Sequence, residues 1–233
     1  GDADYADVLS KVETNDNIAF TVPIAGMTIG DHKLKYSAQD TQGNKITDKE
    51  IKFTVKARSK YSVPLSAGWN LVSLPGDPID SAIDSVLPAD HPATSVLTFK
   101  GGEWHAATRV AGGTWEGSLT TIDSSAAYWI NSSSGTPIKT LLALPNTGAA
   151  IAPTTVPITK GWNMIPIIDL AQSTAGSQVS SSAKDYLTSV NWSVAYQYTA
   201  STRAWTRIVP TAGVVVTGSG YWLWAEAAGT LVP

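Results

Sequence analysis

The feature that most constrains this chain is that it repeats itself. Gly68-Trp69-Asn70 returns as Gly161-Trp162-Asn163 and Tyr128-Trp129 as Tyr221-Trp222, each pair 93 positions apart (68 to 161, 128 to 221). Both ends of a long segment keep register while most residues between them differ, which is the signature of internal duplication. A duplicated chain must fold as two similar units. Residues common to both copies are therefore candidates for the shared fold, and chemistry found in one copy must stand alone.

Within each copy the pattern is β. A strand over 69–74 precedes a helix expected from Asp77 as cap, Pro78 at the first helical position, and Ile79, Ile83, Val86 and Leu87 on one face before Pro88. Val179, Ala183, Tyr186 and Leu187 repeat that spacing in the second copy. Next comes a hairpin, Val96 to Phe99 returning through Lys100-Gly101-Gly102-Glu103 to Trp104, matched by Val194 to Tyr198 and Trp205. Thr108-Arg109-Val110 reads as the counterpart of Thr206-Arg207-Ile208. Residues 146–153 lack charge and periodicity and read as a linker, and residues 56–60, which are basic, read as a linker into the first copy. The first copy ends in an apolar strand over 139–144, whereas the second reaches Gly229-Thr230-Leu231-Val232 and reads as short of its last strand.

Ahead of the copies, Ile18, Phe20 and Val22 alternate, then Leu34, Tyr36 and Ala38, then Ile51, Phe53 and Val55, with turns at Gly30-Asp31 and Gln42-Gly43-Asn44. The run Gly30-Asp31-His32-Lys33-Leu34, Ala38-Gln39-Asp40, Gly43-Asn44 and Ile51 to Val55 resembles the C-terminal half of the immunoglobulin-like domains of bacterial surface proteins. A sandwich of that type takes about 100 residues, so the resemblance implies a partial domain. The expected fold is all-β: a partial immunoglobulin-like sandwich over 1–57, then two homologous small β domains, each with one short helix, over 61–145 and 154–233. Both ends read as ragged, with excision from a larger polypeptide or completion by a neighbouring molecule expected near 1–25 and 225–233.

The duplicated unit, with Gly68 to Pro75 and Ala127-Tyr128-Trp129-Ile130 in one copy and Gly161 to Ile167 and Gly220-Tyr221-Trp222-Leu223 in the other, resembles modules of large cell-surface and S-layer-like proteins of bacteria and archaea. The second copy departs where Ser73-Leu74-Pro75 becomes Pro166-Ile167-Ile168. The resemblance implies an extracellular or cell-surface location and a structural role in assembly or adhesion, with neighbouring copies or domains of the same surface protein as partners.

Composition narrows the classes. Only 15% of residues are charged and the net charge is −3, with no basic cluster free of acids, so nucleic acid is not an expected partner. Cysteine is absent, which removes disulfides, thiolate zinc sites and a thiol nucleophile. No apolar run is long enough for a membrane-spanning helix. His32, His91 and His105 lie far apart without metal-ligand spacing. Glu103 and Glu116 are a candidate glycosidase-type carboxylate pair, without counterparts in the second copy. Asp77, Asp80 and Asp84 read as a solvated helix face, since Lys184 stands where the first copy has Asp84. Asp40 and Asn44 flank a turn that could hold calcium through oxygen ligands. No other cofactor is expected, and no enzyme.

Nine tryptophans invite a carbohydrate-binding alternative. Trp69/Trp162, Trp104/Trp205 and Trp129/Trp222 recur in both copies and are expected to pack in the cores. Trp115, Trp192 and Trp224 have no counterpart and are the candidates for glycan or interface contact. Asn131-Ser132-Ser133 and Asn191-Trp192-Ser193 carry the acceptor pattern for N-glycosylation at Asn131 and Asn191.

Overall fold

The protein is described by a computed structural model, which defines residues 30–39, 42–55, 58–143, 154–168 and 178–233. The chain divides into two compact units, Gly1–Lys56 and Ala57–Pro233. In the first, β1 (Gly30–Gln39) and β2 (Lys45–Val55) form an antiparallel hairpin with a bulge between Tyr36 and Ala38. His32 stacks on its cross-strand partner Phe53, ring centroids 5.7 Å apart. Gly43 takes φ 89° in the connecting turn. The alternation at Ile18, Phe20 and Val22 and the Asp40 side of the turn lie outside the described residues.

Among its described residues the second unit is β apart from two single-turn helices. Its first segment contains β3 (Arg58–Val63), β4 (Gly68–Ser73), α1 (Ile83–Val86), β5 (Ala93–Lys100), β6 (Glu103–Arg109), β7 (Trp115–Gly117), β8 (Ala127–Ser132) and β9 (Ile138–Ala143). Its second contains β10 (Val156–Ile158), β11 (Gly161–Pro166), β12 (Ser180–Ser182), α2 (Ala183–Tyr186), β13 (Trp192–Thr199), β14 (Ala204–Ile208), β15 (Val214–Val216), β16 (Gly220–Ala225) and β17 (Gly229–Leu231). The main sheets run β4-β8-β5-β6-β7 and β11-β16-β13-β14, so the same four strands recur in the same order. Register agrees residue by residue: Leu71 faces Trp129 as Met164 faces Trp222, and both β5 and β13 bulge one residue into the strand.

Several expectations change. Residues 58–60 are not linker but the start of β3, which pairs with β9. The second segment does not lack its closing strand: β17 pairs with β10 in the same manner, over three residues instead of six. The helices are shorter than the spacing suggested. Ala82 and not Asp77 precedes α1, without a side-chain cap, and Ile79 is exposed. Asp77 instead accepts hydrogen bonds from the Ser124 backbone N–H and hydroxyl. The Thr108-Arg109-Val110 match is also out of register. Trp104 pairs with Phe99 and Trp205 with Tyr198, so Ala107 corresponds to Ile208, both buried opposite Val96 and Ala195.

Each segment has its own core. One centres on Val72, Leu74, Val86, Leu87, Val96, Tyr128 and Ile130. The other centres on Ile165, Ile167, Leu187, Trp192, Tyr221 and Leu223.

The repeated motifs are the joinery of these cores. Gly68 and Gly161 take φ 95° and 101°, turning the chain into β4 and β11. The next polar residue then closes that turn. Asn70 Oδ1 accepts from the Ser66 N–H at 2.7 Å, while its amide donates to the Ser66, Gly68 and Ile130 carbonyls. Asn163 repeats the pattern with Thr159 and Gly161. Tyr128 and Tyr221 are buried, and each hydroxyl accepts a backbone N–H from five residues back, Asp123 and Val216, at 2.9 Å. Burial raises both phenol pKa values, that of Tyr221 to about 12, so neither titrates near neutrality. Replacing Asn70 by Ala is expected to cost about 2–4 kcal/mol, because a buried N–H and carbonyls lose partners. Asn70→Asp should cost at least as much, since a carboxylate would face three carbonyls; urea midpoints of both variants measure this.

Candidate functional site

A strand sends adjacent side chains to opposite faces, so Asn70 and Tyr128 entering the core force Trp69 and Trp129 outward. The tryptophans expected in the cores therefore lie on the outer sheet faces. Trp69 and Trp162 are each 41% exposed, Trp104 52% and Trp205 48%, while Trp129 and Trp222 are half-buried.

What half-buries Trp129 and Trp222 is the other segment. The outer faces of the two sheets pack on each other around Leu71, Ala127 and Met164, with Phe99, Trp129, Tyr198 and Trp222 against them. The contacts are reciprocal. Trp129 lies 5.1 Å from Tyr198 and 5.8 Å from Trp205, ring centre to ring centre. Trp222 lies 5.7 Å from Phe99 and 5.9 Å from Trp104, the same positions with the segments exchanged. Each also meets the opening tryptophan of its own segment edge-to-face, Trp69–Trp129 at 85° and Trp162–Trp222 at 89°. The arrangement is that of an isologous dimer interface within one chain.

Polar contacts fix it. Ser73, fully buried, donates from its hydroxyl to the Ser219 carbonyl and accepts the Ile167 N–H, while its own N–H reaches the Gly218 carbonyl. Tyr61 and Thr217 hydroxyls share a hydrogen bond at 3.2 Å. Ser73 corresponds to Pro166, whose side chain can neither donate nor accept. The departure from Ser-Leu-Pro in the second segment thus falls where the first segment grips the second.

At the edge of this interface Trp69, Leu97, Trp104, Trp129 and Tyr198 line an open cleft of about 360 Å³. Three indoles, a phenol and Leu97 make up its lining, and no charged side chain is among them.

The sequence candidates fall elsewhere or play other parts. Trp192 is not exposed but 8% accessible and packed in the second core; the bulge in β13 turns it inward, where the first segment has Ala93. Trp115 packs partly on the first core, donates to the Leu87 carbonyl, and carries the Arg109 guanidinium 4.3 Å above its ring. Arg109 in turn donates to the carbonyls of Ala93, Gly113 and Leu87. Trp224 is half-buried edge-on to Trp162 at 5.3 Å, with Asn131 at the matching place opposite Trp69. Asn131 is partly accessible within β8, and Asn191 is exposed just before β13. Glu103 and Glu116 point to opposite faces of their sheet by register and make no pair. Asp84 and Lys184 are both exposed. His91 is buried, its Nδ1 accepting the Ala93 N–H, and burial lowers its pKa. Asn44 is exposed beside its turn. Among the described residues no cluster of three or more metal-ligating side chains occurs, and no helix is long and apolar enough to cross a membrane.

Leu97, Phe99, Tyr196 and Tyr198 were not singled out in the sequence, although their i, i+2 spacing beside Trp104 and Trp205 placed them on the tryptophan face. No protein-family model matches the chain, and neither a curated protein nor a solved structure matches it significantly.

Proposed function

We propose that residues 57–233 are a non-enzymatic structural unit of an extracellular cell-surface protein of the surface-layer, filament or adhesin-like class, acting in assembly or adhesion. In this reading the two segments descend from one duplicated module that now pairs with itself. The observation that carries it is the reciprocal burial of Trp129 and Trp222 by the opposite segment. The shared residues build cores, turns and that pairing, which is the work of a rigid spacer. Its partners are neighbouring copies or domains of the same surface protein. Sedimentation velocity and electron microscopy over a concentration series test it: ordered sheets or filaments are the expected result, and a monomer up to millimolar concentration would oppose it.

A glycan-binding role is the second reading, favoured by the exposed indole faces of Trp69 and Trp104 beside the cleft. Glycan-array binding that disappears in Trp69→Ala would establish it.

A further inference from the structure

The cleft has an internal counterpart that is already filled. Register assigns each lining residue a partner in the other segment: Trp69 to Trp162, Leu97 to Tyr196, Trp104 to Trp205, Trp129 to Trp222 and Tyr198 to Phe99. Four of these pairs are ring for ring. The fifth is not: where the cleft has Leu97, Tyr196 puts a phenol ring within reach of both indoles, 6.0 Å from Trp162 and 6.4 Å from Trp205. It meets Trp205 edge-to-face at 88° and Trp162 tilted at 46°. These are geometries in which ring pairs attract beyond their area of contact. On the first side the flanking indoles are present and the ring between them is missing.

We propose that the slot over Leu97, between Trp69 and Trp104, binds an aromatic side chain of the tyrosine class presented by a partner polypeptide. The counterpart supplies the ligand's chemistry, since the same walls enclose a phenol ring on the other side. The lining decides between ligand sources. A pyranose carries hydroxyls around its rim that need hydrogen-bond partners, and a site for a free small molecule normally offers a few convergent polar groups. Here the lining is one leucine and four aromatic rings, an almost wholly apolar surface. The cleft is also open on one side, which suits a ring delivered on a chain and held there by neighbouring backbone. The inference rests on the pairing of the two segments and not on an extracellular role, so either can fail without the other.

The full chain is titrated with N-acetyl-tyrosinamide and, in parallel, with methyl β-glucopyranoside, reading the indole N–H resonances by NMR. For a probe of this size a Kd on the order of 1 mM is expected, with shifts at Trp69 and Trp104. Leu97→Tyr should fill the slot as Tyr196 fills its counterpart, and weaken binding at least about tenfold, without loss of fold. Tyr196→Leu should open the second slot, raising the stoichiometry from one ring to two and bringing in Trp162 and Trp205. Binding of the sugar and not the tyrosyl probe would overturn the proposal, as would tyrosyl binding unchanged in Leu97→Tyr. Self-association abolished by Leu97→Tyr, with no response to the probe, would make the occupant a second copy and overturn it too. Should Tyr196→Leu fail to fold, the Leu97→Tyr titration decides alone.

Discussion

Trp129→Ala and Trp222→Ala, made together, are expected to uncouple the two segments while leaving each of their cores intact. Each indole is half-buried by rings of the opposite segment, Tyr198 and Trp205 around one and Phe99 and Trp104 around the other. Truncating a large aromatic in a packed site costs about 3–5 kcal/mol, and partial exposure brings each of these nearer ~2–4. Both changes erode one patch around Leu71, Ala127 and Met164, so their effects should couple instead of adding. Each segment keeps a separate core built from residues the substitutions do not touch. A single urea transition in the parent should therefore become two in the double variant. The controls are Trp69→Ala and Trp162→Ala, which stand at the rim with 41% exposure and should each cost less than about 1.5 kcal/mol. If the rim tryptophans prove as costly as Trp129, the assignment of the pair interface is wrong.

That contrast also marks how far the sequence could be read. The positions of β4, β5, β8 and β13, the hairpin through Gly101-Gly102 and the presence of two short helices followed from alternation, turn residues and apolar spacing, because those are local, whereas the start of β3 and the closing β17 did not. The side of the sheet taken by the tryptophans did not follow from recurrence. A residue kept in both segments can serve either a core that both possess or a face that both share. One signal in the sequence separates the two. Trp69 adjoins Asn70 and Tyr128 adjoins Trp129, and neighbours in a strand cannot both enter one core. The asparagine has to be inside to satisfy its turn, and the tyrosine to reach a backbone N–H, so the tryptophans must be outside. Trp192 was hidden for a different reason. A bulge resets the alternation of β13 by one residue, and single-residue irregularities leave no periodic trace. The carboxylates Glu103 and Glu116 were separated by the register between two paired strands, β6 and β7, which sequence distance does not reveal.

Gly220→Val should be the most damaging single change at the junction of the segments. A Cβ at Gly220 would stand 2.8 Å from the Ala127 Cβ, 3.0 Å from the Val72 carbonyl oxygen and 3.1 Å from the Leu71 side chain, all in the opposite segment. The strain is steric and not conformational, since Gly220 lies outside the positive-φ glycines. Val72 sits in β4 and its partner strand fixes its carbonyl, so the backbone cannot retreat without breaking the pairing. Overpacking of this kind costs about 1–3 kcal/mol for the alanine variant and more for valine, whose branch meets the same wall. The corresponding residue in the first segment is Ala127, so the Gly-Tyr-Trp and Ala-Tyr-Trp endings are a matched small pair at the closest approach. Two methyl groups do not fit where one does. The reciprocal exchange tests this: Gly220→Ala with Ala127→Gly removes the Cβ–Cβ conflict and leaves the approach to Val72, so it should regain part of the stability lost in Gly220→Ala alone. Thermal unfolding of the parent, both single variants and the exchange measures the recovery. Additive losses with no recovery would mean that Ala127 and Gly220 do not meet, and the facing of the two sheets would have to be redrawn.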